Sequence, residues 1–380
     1  MDVVRLGIVG LGNMGSAHVK ALPEVDGLKL CAVCDVDDAK FDRAPGVPSF
    51  RSASEMISSG LIDAILIATP HYDHTTIGIE ALLAGLHVLV EKPISVHRAD
   101  CERLIAAQSG TVFAAMFNQR TDPYYQKLRE IVLSGQLGEL QRVTWIITNW
   151  FRSETYYSSG GWRATWAGEG GGVLLNQCPH NLDLLQWIVG MPIKVSAKCY
   201  FGKFHDIEVE DDVLATLEYA NGATGTFLTT TGEAPGTNRL EIVGDLGKLV
   251  FEGDEIVWTK TEGSVREINK TTQNSFPSVK TTKETITFPN HGLQHHGILT
   301  NFSNAIRFGE ELLSPAPEGI HSVELANAML MSAFTGETVS VPIDGVRYEA
   351  LLQERIASSR YLKKEVKSVS ANLSDSWAKN

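Results

Sequence analysis

The 380-residue sequence predicts an α/β chain, with a doubly wound parallel sheet first and an α+β region on a mostly antiparallel sheet second. Three observations predict it. Short apolar runs alternate with helical patterns up to residue 121. A loop of Gly10-Leu11-Gly12-Asn13-Met14-Gly15 joins the first run to the first helix. Beyond residue 140 the apolar residues alternate singly with polar ones, which is strand periodicity with one face buried.

The elements follow in order. Residues 3–9, 28–34, 64–68, 87–90 and 112–116 read as buried strands, and residues 14–22, 75–84 and 98–108 as the helices between them. Residues 123–134 carry one more helical period. Strands are expected at 140–150, 193–201, 213–219, 224–230, 240–243, 248–251 and 255–259, with Asn221-Gly222 as a tight hairpin turn. A helix over 178–189 interrupts the first of these strands, and helices return at 297–308 and 318–334. The tail from residue 358 is polar and has no strong period. The expected division is one domain at 1–121 and a second at 122–380, with the late helices packing back on the first.

Composition narrows the function. The net charge of −12 argues against nucleic acid or an anionic membrane as the main partner, because phosphate contacts need clustered Lys and Arg. No apolar run reaches the roughly 18–20 residues of a membrane span. The N-terminus lacks a signal-peptide pattern. The five cysteines are scattered and odd in number, which suits a reduced, cytoplasmic chain. Cys31-Ala-Val-Cys34 reads as strand packing, since a redox pair belongs on a loop that opens a helix.

The glycine loop has the context a dinucleotide needs. Gly10 allows the tight turn, Gly12 lets a pyrophosphate approach the backbone, and Gly15 lets the helix pack on the sheet. Asn13 and Met14 open that helix, whose N–H groups favour an anion. Asp35 stands at the end of the next strand and can accept bonds from ribose hydroxyls. A carboxylate there would repel a 2′-phosphate, so NAD is favoured over NADP.

Further motifs extend this to a family. Ala68-Thr69-Pro70-His71-Tyr72-Asp73-His74 is followed by Gly85-Leu86-His87-Val88-Leu89-Val90-Glu91-Lys92-Pro93. Later comes Glu169-Gly170-Gly171-Gly172-Val173-Leu174-Leu175-Asn176-Gln177-Cys178-Pro179-His180-Asn181-Leu182-Asp183. With the N-terminal glycines, this ordered set resembles the Gfo/Idh/MocA oxidoreductases over residues 3–260. The resemblance implies an N-terminal Rossmann domain and a C-terminal domain with a large, mostly antiparallel sheet whose open face often builds dimers or tetramers. It also implies a site between the domains, at the carboxyl ends of the parallel strands.

The resemblance assigns roles by position. Lys92 follows a parallel strand, projects into the crevice and is implied to contact the substrate hydroxyl. His180 is the implied general acid/base. Asn176 stands where many relatives carry Asp. An amide orients through hydrogen bonds but takes no proton, so the proton passes through His180 or Lys92 while Asn176 positions the substrate. A helix cap is the competing role for Asn176. Asp183 either holds the His180 imidazole or is a surface carboxylate. Thr69, Pro70, His74, Glu91 and Asn118 are expected along the nicotinamide half of the cofactor. Gln119 and Arg120 are expected near the substrate. Trp162-Arg163 resembles a pair that reaches the cofactor in relatives. Tyr156, Tyr157 and Trp166 offer aromatic faces for a sugar, and His296, beside His295, could reach the cleft. His71, His74, His295 and His296 match no metal-ligand spacing, so no metal is expected.

The expected activity is NAD-dependent hydride transfer at a ring hydroxyl of a sugar, glycoside or inositol, in a homodimer or homotetramer. The alternative is a glycosidase that retains its NAD and acts by transient oxidation and elimination. A catalytically silent NAD-binding protein is disfavoured by the presence of both Lys92 and His180.

Overall fold

The computed structural model describes residues 2–363, so most of the polar tail lies outside the described residues. Six strands form the first sheet: β1 (Val4–Val9), β2 (Leu28–Cys34), β3 (Ser49–Phe50), β4 (Ala64–Ile67), β5 (His87–Val90) and β6 (Phe113–Ala115). Their order is β3-β2-β1-β4-β5-β6 and every pair is parallel. Val4, Leu6 and Ile8 are fully buried, as are all four residues of β4, because helices cover both faces. The strand order reverses between β1 and β4. Their carboxyl ends therefore open a crevice at the switch point.

The second sheet holds β7 (Leu140–Ile147), β8 (Lys194–Phe201), β9 (Glu210–Glu218), β10 (Thr224–Thr230), β11 (Asn238–Gly244), β12 (Gly247–Glu252), β13 (Glu255–Thr261), β14 (Thr281–Ile286) and β15 (Val339–Ser340). The order is β14-β13-β12-β11-β7-β10-β9-β8-β15, antiparallel except for the β7–β10 pair. Alternation works as expected: Val213, Ala215 and Leu217 of β9 are buried, while Leu214, Thr216 and Glu218 face outward. The inner face packs with helices Pro179–Val189 and Gly319–Thr335. The Asn221-Gly222 turn is a hairpin between β9 and β10, closed by Gly222 at φ 85°.

Several short elements were not expected, and neither were the edge strand β14 and the last helix. The edge strand β14 reads TTKETI and buries no side chain fully, so it lacks an apolar face to announce it. Helix Gly345–Ser358 buries only Tyr348 and Leu352, a stripe too narrow to give a clear period. Cys31 and Cys34 both lie on β2 as free thiols, and burial pushes the Cys34 thiol up to about 11, against a redox role.

The chain then returns to the first sheet. Helix Gln294–Phe308 inserts Ile298, Leu299 and Phe302 into the cluster of Val4, Leu6 and Ile8. The Ala115 N–H donates to the Ser314 carbonyl at 3.0 Å, which covers the β6 edge. No helix among the described residues is long and apolar enough to cross a membrane.

Candidate functional site

The glycine loop sits at the carboxyl end of β1. Gly10 has φ 88°, and a Cβ there would lie 2.5 Å from the Ala68 carbonyl oxygen. A Cβ on Gly15 would lie 1.7 Å from the Gly10 oxygen. Gly12 is different: nothing lies within 4 Å of the place its Cβ would take. No side chain caps helix Asn13–Ala21, so its first N–H groups are left for an anion. Asn13 is exposed there and Met14 half-buried. Asp35 Oδ2 accepts the Leu11 N–H at 2.7 Å, tying the loop to the end of β2. Lys40 Nζ is 3.1 Å from Asp35 Oδ1, and Arg43 bonds Ser16 Oγ at 3.0 Å. Both cations were missed because they follow a run of aspartates.

Across the switch point, Thr69 Oγ1, Asn118 Oδ1 and Gln119 Oε1 are buried without a partner among the described residues. These unmet atoms and the open space before Gly12 fit a dinucleotide. Asn118 Nδ2 donates to Gln294 Oε1 at 2.7 Å. Pro70 caps the helix that begins at His71. His74 is placed differently from expectation. Its ring nitrogens meet the Pro93 and Thr69 carbonyls at 2.8 and 2.9 Å, so it fastens the two loops together and leaves no ring nitrogen for a cofactor.

Lys92 reaches across to the second domain, where its Nζ donates to the Asn176 backbone oxygen at 2.8 Å. Burial pushes its ammonium down, while Glu91 and Glu169 oppose that and Arg163 adds to it. His180 lies in the first turn of helix Pro179–Val189 and is buried. Burial, then Lys92 and His295, hold its imidazole well below the ordinary histidine value. Asn176 precedes that helix instead of lying on it, and it is not the cap, which is Cys178. Its Nδ2 donates to Glu169 Oε1, and its Oδ1 accepts the Tyr156 hydroxyl at 3.2 Å. Tyr156 also accepts from Arg163 at 2.8 Å and Gln177 at 3.0 Å. Trp162 meets the His71 ring edge-on at 5.1 Å, and the Arg163 guanidinium lies 4.5 Å from the Trp162 ring.

On the other side of Lys92, Glu91 Oε1 is 2.7 Å from His18 Nε2. Burial alone would raise the Glu91 carboxyl, but His18, His295 and Lys92 outweigh it and hold it at about 2. His295 lies 5.7 Å from His18, ring to ring.

Four further expectations are corrected. Arg120 is 1% exposed and bonds Asp183 at 2.6 and 2.8 Å, with Glu318 as a further partner, so it is a structural clamp with no donor facing the crevice. Asp183 serves that clamp and does not hold His180. Trp166 is buried against Phe201 and Phe334 in the second core, so its ring faces are taken by other rings. His296 bonds the Glu24 carbonyl at 2.8 Å, and its neighbour His295 is the one that faces Glu91 and His180. Sequence reasoning missed Glu169 and His18. The signal for Glu169 was an acid directly before a glycine run. For His18 it was a histidine on the sheet-facing side of the first helix. Among the described residues, no group of three or more acidic, His or Cys side chains could hold a metal.

The chain matches a family model for the oxidoreductase family's NAD-binding Rossmann fold over residues 4–115. It matches another for the GFO/IDH/MocA C-terminal domain over residues 125–250. It is 28% identical over 229 residues to an inositol 2-dehydrogenase of Leifsonia xyli subsp. xyli, covering 58% of this chain and 64% of that one. The chain thus spans somewhat less than two thirds of that relative's length. A glycosyl hydrolase family 109 protein of Shewanella baltica is 28% identical over 184 residues, 44% of this chain and 40% of that one. The WlbA dehydrogenase from Bordetella pertussis, solved with NADH and UDP-GlcNAcA, superposes with a TM-score of 0.77 at 27% identity, covering 90% of this chain and 100% of that chain.

Proposed function

Because the chain belongs to the Gfo/Idh/MocA oxidoreductases, we propose that it is an NAD-dependent dehydrogenase acting on a ring hydroxyl of a sugar, glycoside or inositol. One observation carries this reading: Lys92, from the end of β5, bonds Asn176 of the second domain four residues before His180. Gly10, Gly12 and Gly15, the helix start at Asn13 and Met14, and Asp35 would hold the adenosine and pyrophosphate half. Thr69, Pro70, Glu91, Asn118, Trp162 and Arg163 would line the other half. NAD supplies the hydride acceptor for the carbinol carbon. The Lys92 ammonium holds the hydroxyl oxygen as charge develops on it. The neutral imidazole of His180 takes the hydroxyl proton. Asn176, Gln119 and the Tyr156 hydroxyl orient the ring. The acidic sugar bound by the WlbA dehydrogenase and the inositol of the curated relatives support a hydroxylated ring as substrate.

A screen of inositols, free sugars, glycosides and sugar acids for NADH absorbance tests the reading. No NADH from any of them would sink it. The likeness to a family 109 glycosyl hydrolase favours a second reading, in which NAD is retained and a glycosidic bond is broken. That enzyme would release free sugar without accumulating NADH.

His180 also sets a pH expectation. Its pKa lies well below 6.5, so the imidazole is neutral at neutral pH and stays so as pH falls through 6.5. The acid limb of kcat/KM should therefore lie clearly below 6.5; a limb centred there would remove His180 as the base. Asp35→Ser is expected to weaken NAD about ten- to a hundredfold through lost charged hydrogen bonds. It should also improve NADP relative to NAD, since Lys40 and Arg43 remain. Fluorescence titration with both reduced cofactors checks this, and an unchanged preference would remove Asp35 from that role.

We further propose a domain boundary at 121/122 and a dimer or tetramer formed through the open face of the second sheet, where Tyr200 and Leu214 are 47% and 44% exposed. Light scattering that gave a monomer would overturn the latter. A cytoplasmic location suits the free thiols.

A further inference from the structure

The mechanism above leaves the buried acid Glu169 unused. Glu169 is 1% exposed and forms no ion pair among the described residues. Its Oε2 accepts the Ala164 N–H at 2.7 Å, and its Oε1 accepts the Asn176 amide. A carboxylate this buried is costly, and its retention without a cation in contact points to a use.

We propose that Glu169 is a positioning residue that acts through Asn176 and shares with Glu91 the counter-charge for Lys92. The argument is geometric. Because Glu169 is an acceptor only, it fixes the Asn176 amide with Nδ2 inward and Oδ1 outward, where Oδ1 meets the Tyr156 hydroxyl. The Asn176 backbone oxygen then receives the Lys92 ammonium at 2.8 Å. Glu91, the other and stronger acid beside Lys92, has its Oε1 on His18 and its Oε2 on the Lys92 N–H, so Glu169 is the acid that reaches Lys92 from the second domain. The remaining charged groups around Lys92 are cationic or neutral: Arg152 and Arg163 from the aromatic loop, and His71, His180 and His295 from three other elements. Glu169 itself faces Arg163, Lys363 and the buried Glu210. Burial raises its carboxyl, and Arg163, the Asn176 amide and the Ala164 N–H counter that rise.

The assignment rests on the dehydrogenase reading only in making Lys92 the group that meets the substrate hydroxyl. Its test needs no substrate. Competitive acetylation with acetic anhydride, read by peptide mass spectrometry, gives the pH at which Lys92 is half-reactive. Glu169→Gln is expected to lower that midpoint by about one pH unit. The transposed variant Glu169→Gln/Asn176→Asp keeps one carboxylate in the same hydrogen bond and is expected to restore it. A midpoint unchanged in Glu169→Gln would overturn the proposal. So would a transposed variant that binds NADH normally but stays shifted. Should Glu169→Gln fail to fold, the transposed variant decides alone. With a turned-over sugar in hand, Glu169→Gln should lower kcat and leave KM near wild type. If the wild-type chain makes no NADH from any substrate, the dehydrogenase reading fails while the labelling result still decides Glu169.

Discussion

Lys92→Ala is expected to lower kcat about a hundred- to a thousandfold, the range for removing a preorganised donor to a developing oxyanion, and to weaken NADH far less. The side chain reaches the second domain from the end of β5, and its Nζ is held 2.8 Å from the Asn176 oxygen. Deletion removes the charge that would stabilise an alkoxide and leaves a void that water fills. Lys92→Arg should not rescue, because a planar guanidinium cannot place a compact charge on that carbonyl. Adding His180→Ala should cost little more than either change alone, as expected for groups that act as a unit on one hydroxyl. Steady-state kinetics on the best substrate of the screen, with NADH titration alongside, measures all three. An alanine variant within tenfold of wild type would remove Lys92 from the chemistry.

Arg120→Met is expected to destabilise the fold by about 3–5 kcal/mol, because it strands the buried Asp183 carboxylate. Burial already raises that carboxyl, and Arg120 is what opposes the rise. Arg120→Met/Asp183→Leu should recover most of the loss, since removing both charges leaves neither unpaired. Urea unfolding followed by tryptophan fluorescence gives the differences. Native stability together with a raised substrate KM would return Arg120 to the binding site.

Arg120 also shows where sequence reading stops. Its place after the last parallel strand is legible, and position alone puts it beside the crevice. Its partners are 63 and 198 residues away, and no local pattern announces them. Trp166 fails in the same way: the loop was legible, but which of its aromatic rings turn inward depends on Phe201 and Phe334. By contrast, Gly10, Gly15 and Lys92 were readable because each is constrained locally by a turn, a helix contact or a strand end. The parallel sheet was clear because its strands are apolar on both faces. The edge strand β14 was not, because nothing in it needs burying. Glu169 went unread because its meaning lies in one hydrogen bond to Asn176.

The helix at Gln294–Phe308 has a consequence for synthesis. Domains usually fold as they leave the ribosome, N-terminal first. Here Ile298, Leu299 and Phe302 fill the core beneath β1, and Ser314 covers β6. The nucleotide-binding half therefore waits, with an apolar face uncovered, until most of the chain has been made. A fragment ending at residue 121 should be sticky and poorly soluble in cells, and supplying residues 290–318 in trans should improve its yield. Messages truncated between those points would release chains that chaperones must hold.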